Sequence, residues 1–177
     1  GQQGLDDARR MTTLGANAIG VDARQMLVAS TGVIGRLLPM PVMEVGIPKA
    51  ASELAAGPEA LERAARAILT TDTRIKVRTR SLSFHGQDVR ITGFAKGAAM
   101  IGPNMATMLA FVLTDAPIDV ADLSALAPVS ADRSFNCISV EGHTSTNDSL
   151  IFLANGQGTP LKGEALERFR TAAIEVC

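Results

Sequence analysis

The chain has 177 residues, 46% of them hydrophobic, enough apolar material for one medium-sized core or a large piece of a bigger one. Acidic and basic side chains nearly cancel to a formal net charge of −1, and no Lys/Arg stripe of the kind that tracks a phosphate backbone is present, which argues against nucleic acid as a partner. No apolar run nears the ~20 residues of a membrane span, and the N-terminal Gly-Gln-Gln-Gly-Leu-Asp-Asp lacks signal character, so a soluble cytoplasmic protein without a membrane partner is expected.

In chain order, Leu5, Ala8, Met11 and Leu14 recur at helical spacing, with Gly15 and Gly20 read as the exit. Met-Leu-Val-Ala-Ser at 26–30 reads as a short buried strand feeding a tight turn at Thr31-Gly32. Pro39, Pro41 and Pro48 break up the next stretch, and Pro58 opens an amphipathic helix that carries Leu61, Ala64, Ala65 and Ile68. Residues 75–84 and 89–94 read as strands of a hairpin turning at His85-Gly86-Gln87-Asp88. The unbroken apolar run 107–114 suits a strand buried on both faces. A short helix over 120–126, strands over 134–140 and 149–153, and a closing helix over 164–176 with Leu166, Phe169, Ala173 and Val176 on one face complete the pass. Helices and strands mix without strict alternation, which predicts a layered α+β architecture. The chain starts in turn-like residues and stops at Cys177 inside an apparent helix, as a segment of a longer product would.

Conventional chemistry has little material. Cys137 and Cys177 stand in no metal or redox spacing, only His85 and His143 supply imidazoles, and no metal or other cofactor is expected. No Gly-x-Ser-x-Gly occurs, and both histidines fall in predicted loops. A threonine can act without histidine if it is the first residue of a chain, because its own α-amine, with an ordinary pKa of about 7.7 to 8.0, serves as the base. Thr107 follows the small Ala106 at the entrance of the apolar run, which by spacing alone reads first as an ordinary strand entrance; the other reading is a nucleophile released by cleavage of the Ala106–Thr107 bond. Backbone N–H groups near Thr31 and Gly32 could bind an oxyanion or merely form a turn. Lys96 could be a buried cation for a substrate carboxylate or a solvated loop residue. The loops Thr70-Thr71-Asp72-Thr73 and Thr144-Ser145-Thr146-Asn147-Asp148 could bind a ligand or only cap and turn.

These stretches occur in a definite order: Ser30-Thr31-Gly32-Val33-Ile34-Gly35, Leu69-Thr70-Thr71-Asp72-Thr73, the block from Lys96 through Gly102-Pro103-Asn104-Met105-Ala106-Thr107 to Phe111, and Thr144-Ser145-Thr146-Asn147-Asp148. Together they resemble the bifunctional ornithine acetyltransferases of arginine biosynthesis over nearly the whole chain. The resemblance implies a layered αββα sandwich of the ornithine acetyltransferase and DmpA-like type, incomplete in this chain. It further implies a precursor that cleaves itself, with 1–106 the C-terminal part of an α chain and 107–177 the N-terminal part of a β chain, together one incomplete catalytic domain of an α2β2 heterotetramer.

In such an enzyme Thr107 takes acetyl from N2-acetyl-L-ornithine and passes it to L-glutamate, and some members also accept acetyl-CoA. Thr31 and Gly32 map onto the oxyanion hole, and Thr73 and Lys96 onto substrate-binding positions. The chain departs from the family pattern at Glu141-Gly142-His143, where Asp-Gly-Asp is usual. Two other outcomes fit the same residues: a related amidohydrolase or aminopeptidase in which water is the acceptor, and a truncated, non-catalytic piece.

Overall fold

A computed structural model describes residues 1–84, 86–99, 108–143 and 145–177. The chain forms two compact units, Gly1–Leu61 and Glu62–Cys177. Among the described residues no helix is long and apolar enough to cross a membrane.

The first unit is helical. Helix α1 (Gln2–Ile19) runs straight through Gly15 and ends at Gly20, whose left-handed φ of 75° turns its N–H back onto the Ala16 carbonyl at 2.8 Å. Gly15 is therefore a packing position rather than an exit, since a Cβ there would lie 2.8 Å from Met26 Cε. Residues 26–30 carry no ladder and follow a 3-10 turn at Ala23–Gln25 that Asp22 caps, with the backbone of Met26 extended. The apolar run expected to be a strand has no strand to pair with among the described residues, so burial potential alone does not make it one. The turn expected at Thr31-Gly32 lies further on, where Arg36 N–H donates to the Val33 carbonyl and Gly35 takes φ 85°.

Prolines do not prevent the next helix. Helix α2 (Met40–Ser52) starts with Pro41 in its first turn, where a missing N–H matters least, and carries Pro48 internally. Helix α3 (Pro58–Ala67) begins on proline as the sequence indicates.

The second unit is built on a four-stranded sheet in the order β1-β2-β3-β4. Strands β1 (Lys76–Phe84) and β2 (Gln87–Lys96) form the expected hairpin, with Phe84 paired to Gln87, so the connection is only residues 85–86. The turn is thus tighter than the four residues expected. Gly86 takes φ 81° there, and His85 lies outside the described residues. Strand β3 (Leu109–Thr114) pairs antiparallel with β2, and β4 (Ser149–Ala154) pairs parallel with β3. Parallel pairing needs a crossover, and helix α4 (Val120–Asp132) supplies it. This helix passes the expected end at residue 126 and continues over Pro128. Residues 134–140, expected to be a strand, instead close the helix with a 3-10 turn at Phe135–Cys137, fixed by Cys137 N–H on the Ser134 carbonyl at 2.9 Å.

Helix α5 (Gly163–Val176) buries Leu166, Phe169, Ala172, Ala173 and Val176, the predicted apolar face plus Ala172. The helices α4 and α5 cover one sheet face, and the core there joins Val89, Ile91, Val112, Leu126 and Phe169. At Gly93 the contact is tight, because a Cβ would meet Val176 Cγ1 at 2.7 Å. Phe94 and Phe111 stack on the opposite sheet face with ring centroids 5.1 Å apart. The class is α+β, as expected.

Candidate active site

One end of this sheet gathers the chemistry. Lys96, the last residue of β2, pairs with Leu109, the first of β3, and Leu109 pairs with Ser149, the first of β4. Three strands therefore start or stop on one row, and the flanking loops contribute Gly97, Met108 and Asp148 to that edge. Strand alternation puts Lys96 on the same face as Phe94, away from α5. Lys96 is not the solvated loop lysine that remained open from sequence: its exposure is 1%, among the largest fully buried side chains described.

A buried ammonium requires negative charge nearby, and the two loops supply it. Asp72 and Asp148 both act on Lys96 through space. Burial nevertheless dominates and pushes the Lys96 ammonium below its ordinary value, against the pull of the two carboxylates. Asp148 is displaced upward for the same reason, burial outweighing the Met108 hydrogen bond and the Lys96 charge. Asp72 has a side chain with no exposed surface, and burial is again the largest influence, acting upward. The Lys76 hydrogen bond, the Gly97 N–H and the Lys76 charge together overcome it, and the carboxyl ends below its ordinary value.

The carboxylates also hold backbone. Asp72 Oδ1 accepts the Gly97 N–H at 2.7 Å and pairs with the Lys76 ammonium. Asp148 Oδ1 accepts the Met108 N–H at 2.7 Å, and the neighbouring Ser149 N–H donates to the Met108 carbonyl at 3.0 Å. Among the described residues Asp72 Oδ2 and Asp148 Oδ2 are buried without a hydrogen-bond partner. Charges in such a site act through a lower effective dielectric than at the surface, so a polar group entering it is held more strongly than in water.

Of the residues singled out from sequence, Lys96 lies at the centre of this cluster. Thr73 follows Asp72 directly and is exposed. Thr31 is half-buried and Gly32 exposed, both in the first unit, and a Cβ at Gly32 would meet nothing within 4 Å. Ala106 and Thr107 lie outside the described residues, as does Thr144. In the polar loop Ser145 is buried, and its Oγ accepts the Asn147 N–H at 3.3 Å. His143 is at the surface, its Nδ1 3.7 Å from Glu141 Oε2. Sequence reasoning passed over Asp72 and Asp148 as individual residues. The available signal was an aspartate in each Thr-rich loop close to a strand end, which cap-and-turn chemistry explains equally well.

The ArgJ family profile matches residues 1–177, from one end of the sequence to the other. The chain belongs to the ArgJ family. It is 46% identical to the arginine biosynthesis bifunctional protein ArgJ of Thermotoga neapolitana, a match that covers 88% of this chain and 38% of that protein. With the glutamate N-acetyltransferase of Methanocaldococcus jannaschii it shares 42% identity over 99% of this chain and 44% of the relative. The chain thus spans about two fifths of the length of these curated relatives.

Among solved structures, the Bacillus halodurans ArgJ superposes with a TM-score of 0.54 at 40% identity, covering 59% of this chain and 53% of that one. An L-aminopeptidase D-Ala-esterase/amidase from Ochrobactrum anthropi, described as a variant among the Ntn hydrolase fold, gives a TM-score of 0.50 at 17% identity, covering 77% and 47%. That identity speaks for fold alone, and the fold agrees with the sandwich class that the ArgJ motifs imply.

Proposed function

We propose that the protein to which this ArgJ-family chain belongs is a self-processing acetyltransferase that moves acetyl from N2-acetyl-L-ornithine to L-glutamate through an ester on Thr107. The observation that carries this reading is the buried Lys96 at the sheet edge where β3 begins, two residues after Thr107 in sequence. The names of the curated relatives, one of them a glutamate N-acetyltransferase, support acetyl transfer to glutamate in arginine biosynthesis.

In the first step the Thr107 hydroxyl attacks the Ala106 carbonyl, the peptide C–N bond breaks, and an ester forms with the Thr107 amine released. Water then splits the ester, leaving an Ala106 carboxylate and a free Thr107 N-terminus. In turnover the α-amine takes the hydroxyl proton as the oxygen attacks the acetyl carbonyl of acetylornithine. The amide C–N bond breaks, ornithine leaves with the proton, and acetyl remains on Thr107. The amine of glutamate attacks that ester, the C–O bond breaks, and N-acetylglutamate departs. Thr31 and Gly32 are assigned the donors for the oxyanion, and Thr73 and Lys96 the hold on the amino-acid substrate. Acetyl-CoA as a second donor, the α2β2 assembly and a cytoplasmic location belong to the same proposal.

Intact-mass measurement of the whole protein tests it. Two pieces meeting at Ala106/Thr107 are expected, with Thr107→Ala uncut and unacetylated, and Thr107→Ser partly active because the hydroxyl survives. An uncut protein that turns over acetylornithine sinks the mechanism. Ornithine release at equal rates with and without glutamate identifies a hydrolase instead.

A further inference from the structure

The cluster holds a residue with no part in the chemistry above: Asp148, whose carboxylate is aimed at the backbone next to the cleavage site. Its Oδ1 accepts the Met108 N–H at 2.7 Å, while Ser149 N–H donates to the Met108 carbonyl at 3.0 Å. Both polar groups of that residue's backbone are thus gripped by two consecutive residues leading into β4. The nitrogen of Met108 is bonded to the carbonyl carbon of Thr107 through a planar peptide, so the Met108 N–H is the described donor next to the nucleophile in the chain.

A β-ladder alone would not do this. Met108 precedes β3, whose pairing to β2 begins with Leu109 opposite Lys96, so its N–H lies beyond the paired run. The grip is one of geometry rather than of charge: the Oδ1 acceptor stands 2.7 Å from the Met108 nitrogen, and burial holds the Asp148 carboxyl above its ordinary value despite the Lys96 charge. Reactions that need a hydroxyl aligned on a carbonyl are sensitive to small misplacement of the backbone that carries it.

We propose that Asp148 is a positioning residue for the Thr107 chemistry: with the Ser149 amide it clamps Met108, the residue bonded directly to the nucleophile. This rests on the self-processing reading, and the test separates the two. In the intact protein, Asp148→Ala removes the acceptor, while Asp148→Asn keeps an oxygen able to receive the Met108 N–H. Two readouts are taken: hydrogen exchange at the Met108 amide, and the rate of cleavage between residues 106 and 107 by intact mass.

Asp148→Ala is expected to release Met108 protection and to slow cleavage by about 10- to 100-fold. Asp148→Asn should stay near the wild-type value in both. Thr114→Val, which weakens the far end of β3, serves as a stability-matched control and should cleave normally. The clamp is overturned if Asp148→Ala leaves Met108 exchange and cleavage unchanged, or if Asp148→Asn protects the amide yet cleaves as slowly as Asp148→Ala. A wild-type protein that is never cut refutes self-processing, and the exchange arm then still decides the clamp.

Discussion

Helix α5 packs tightly against the sheet at Gly93, and substituting that residue tests how tight the approach is. A Cβ at Gly93 would stand 2.7 Å from Val176 Cγ1, 3.7 Å from the Val176 carbonyl and 3.8 Å from that of Phe111. Carbon contacts are comfortable at about 3.5–4.0 Å, so only the Val176 methyl is too close, by about 1 Å. Val176 is 7% exposed and β-branched, so its side chain does not rotate easily out of the overlap. Gly93→Ala should therefore destabilise the protein by about 1–3 kcal/mol, the usual range for an overpacked core.

Val176→Ala removes two carbons at about 0.8 kcal/mol each, giving about 1.6 kcal/mol before any cavity contribution. The double variant puts the new methyl into the space the valine leaves, so its loss should fall about 1–2 kcal/mol short of the sum. Urea unfolding of the wild type, both single variants and the double variant measures this cycle. Losses that add to within about 0.5 kcal/mol would falsify the steric reasoning. The result bears on the site, because β2 carries Gly93 and, three residues later, Lys96.

Thr114 Oγ1 donates to the Arg90 carbonyl at 2.8 Å and accepts the buried Ala116 N–H at 3.1 Å, so Thr114→Val strands both groups. A loss of about 1–3 kcal/mol is expected in the same unfolding assay, with Thr114→Ser close to wild type. Burial pushes the Cys177 thiol up to about 11, whereas Cys137 is exposed, so iodoacetamide at pH 8 should label Cys137 first. A thiol raised in the folded state stabilises fully below its unfolded value of 9.0, and that stability is lost as pH climbs toward about 11. Equal labelling of the two cysteines at pH 8 would show that Cys177 is not sheltered.

Sequence periodicity was sufficient where an element's own pattern decided its structure. The β1–β2 hairpin, the apolar strand β3, strand β4 and the buried face of α5 all read correctly because alternation and helical spacing are local properties. The reading failed where the outcome depended on a neighbour. Residues 26–30 have strand-like composition but no strand pairs with them among the described residues, and Gly15, placed like a helix end, is instead where Met26 packs. Pro41 and Pro48 looked like breakers, although a proline in the first turn starts a helix and one inside can be accommodated.

The same division holds for the site. By itself the sequence determined the family, because the ordered motifs from Thr31 to Asp148 are linear information. It also marked Lys96 and Thr107 as chemically interesting, while local sequence favoured a solvated loop lysine over a buried cation. Tertiary structure alone decided that Lys96 is buried and that Asp72 and Asp148, 76 positions apart, face the same ammonium. Pairing of β2, β3 and β4 on one row brings Asp148 there and the Gly97 N–H holds Asp72, while desolvation is set by what packs around a residue, not by its nearest neighbours in sequence.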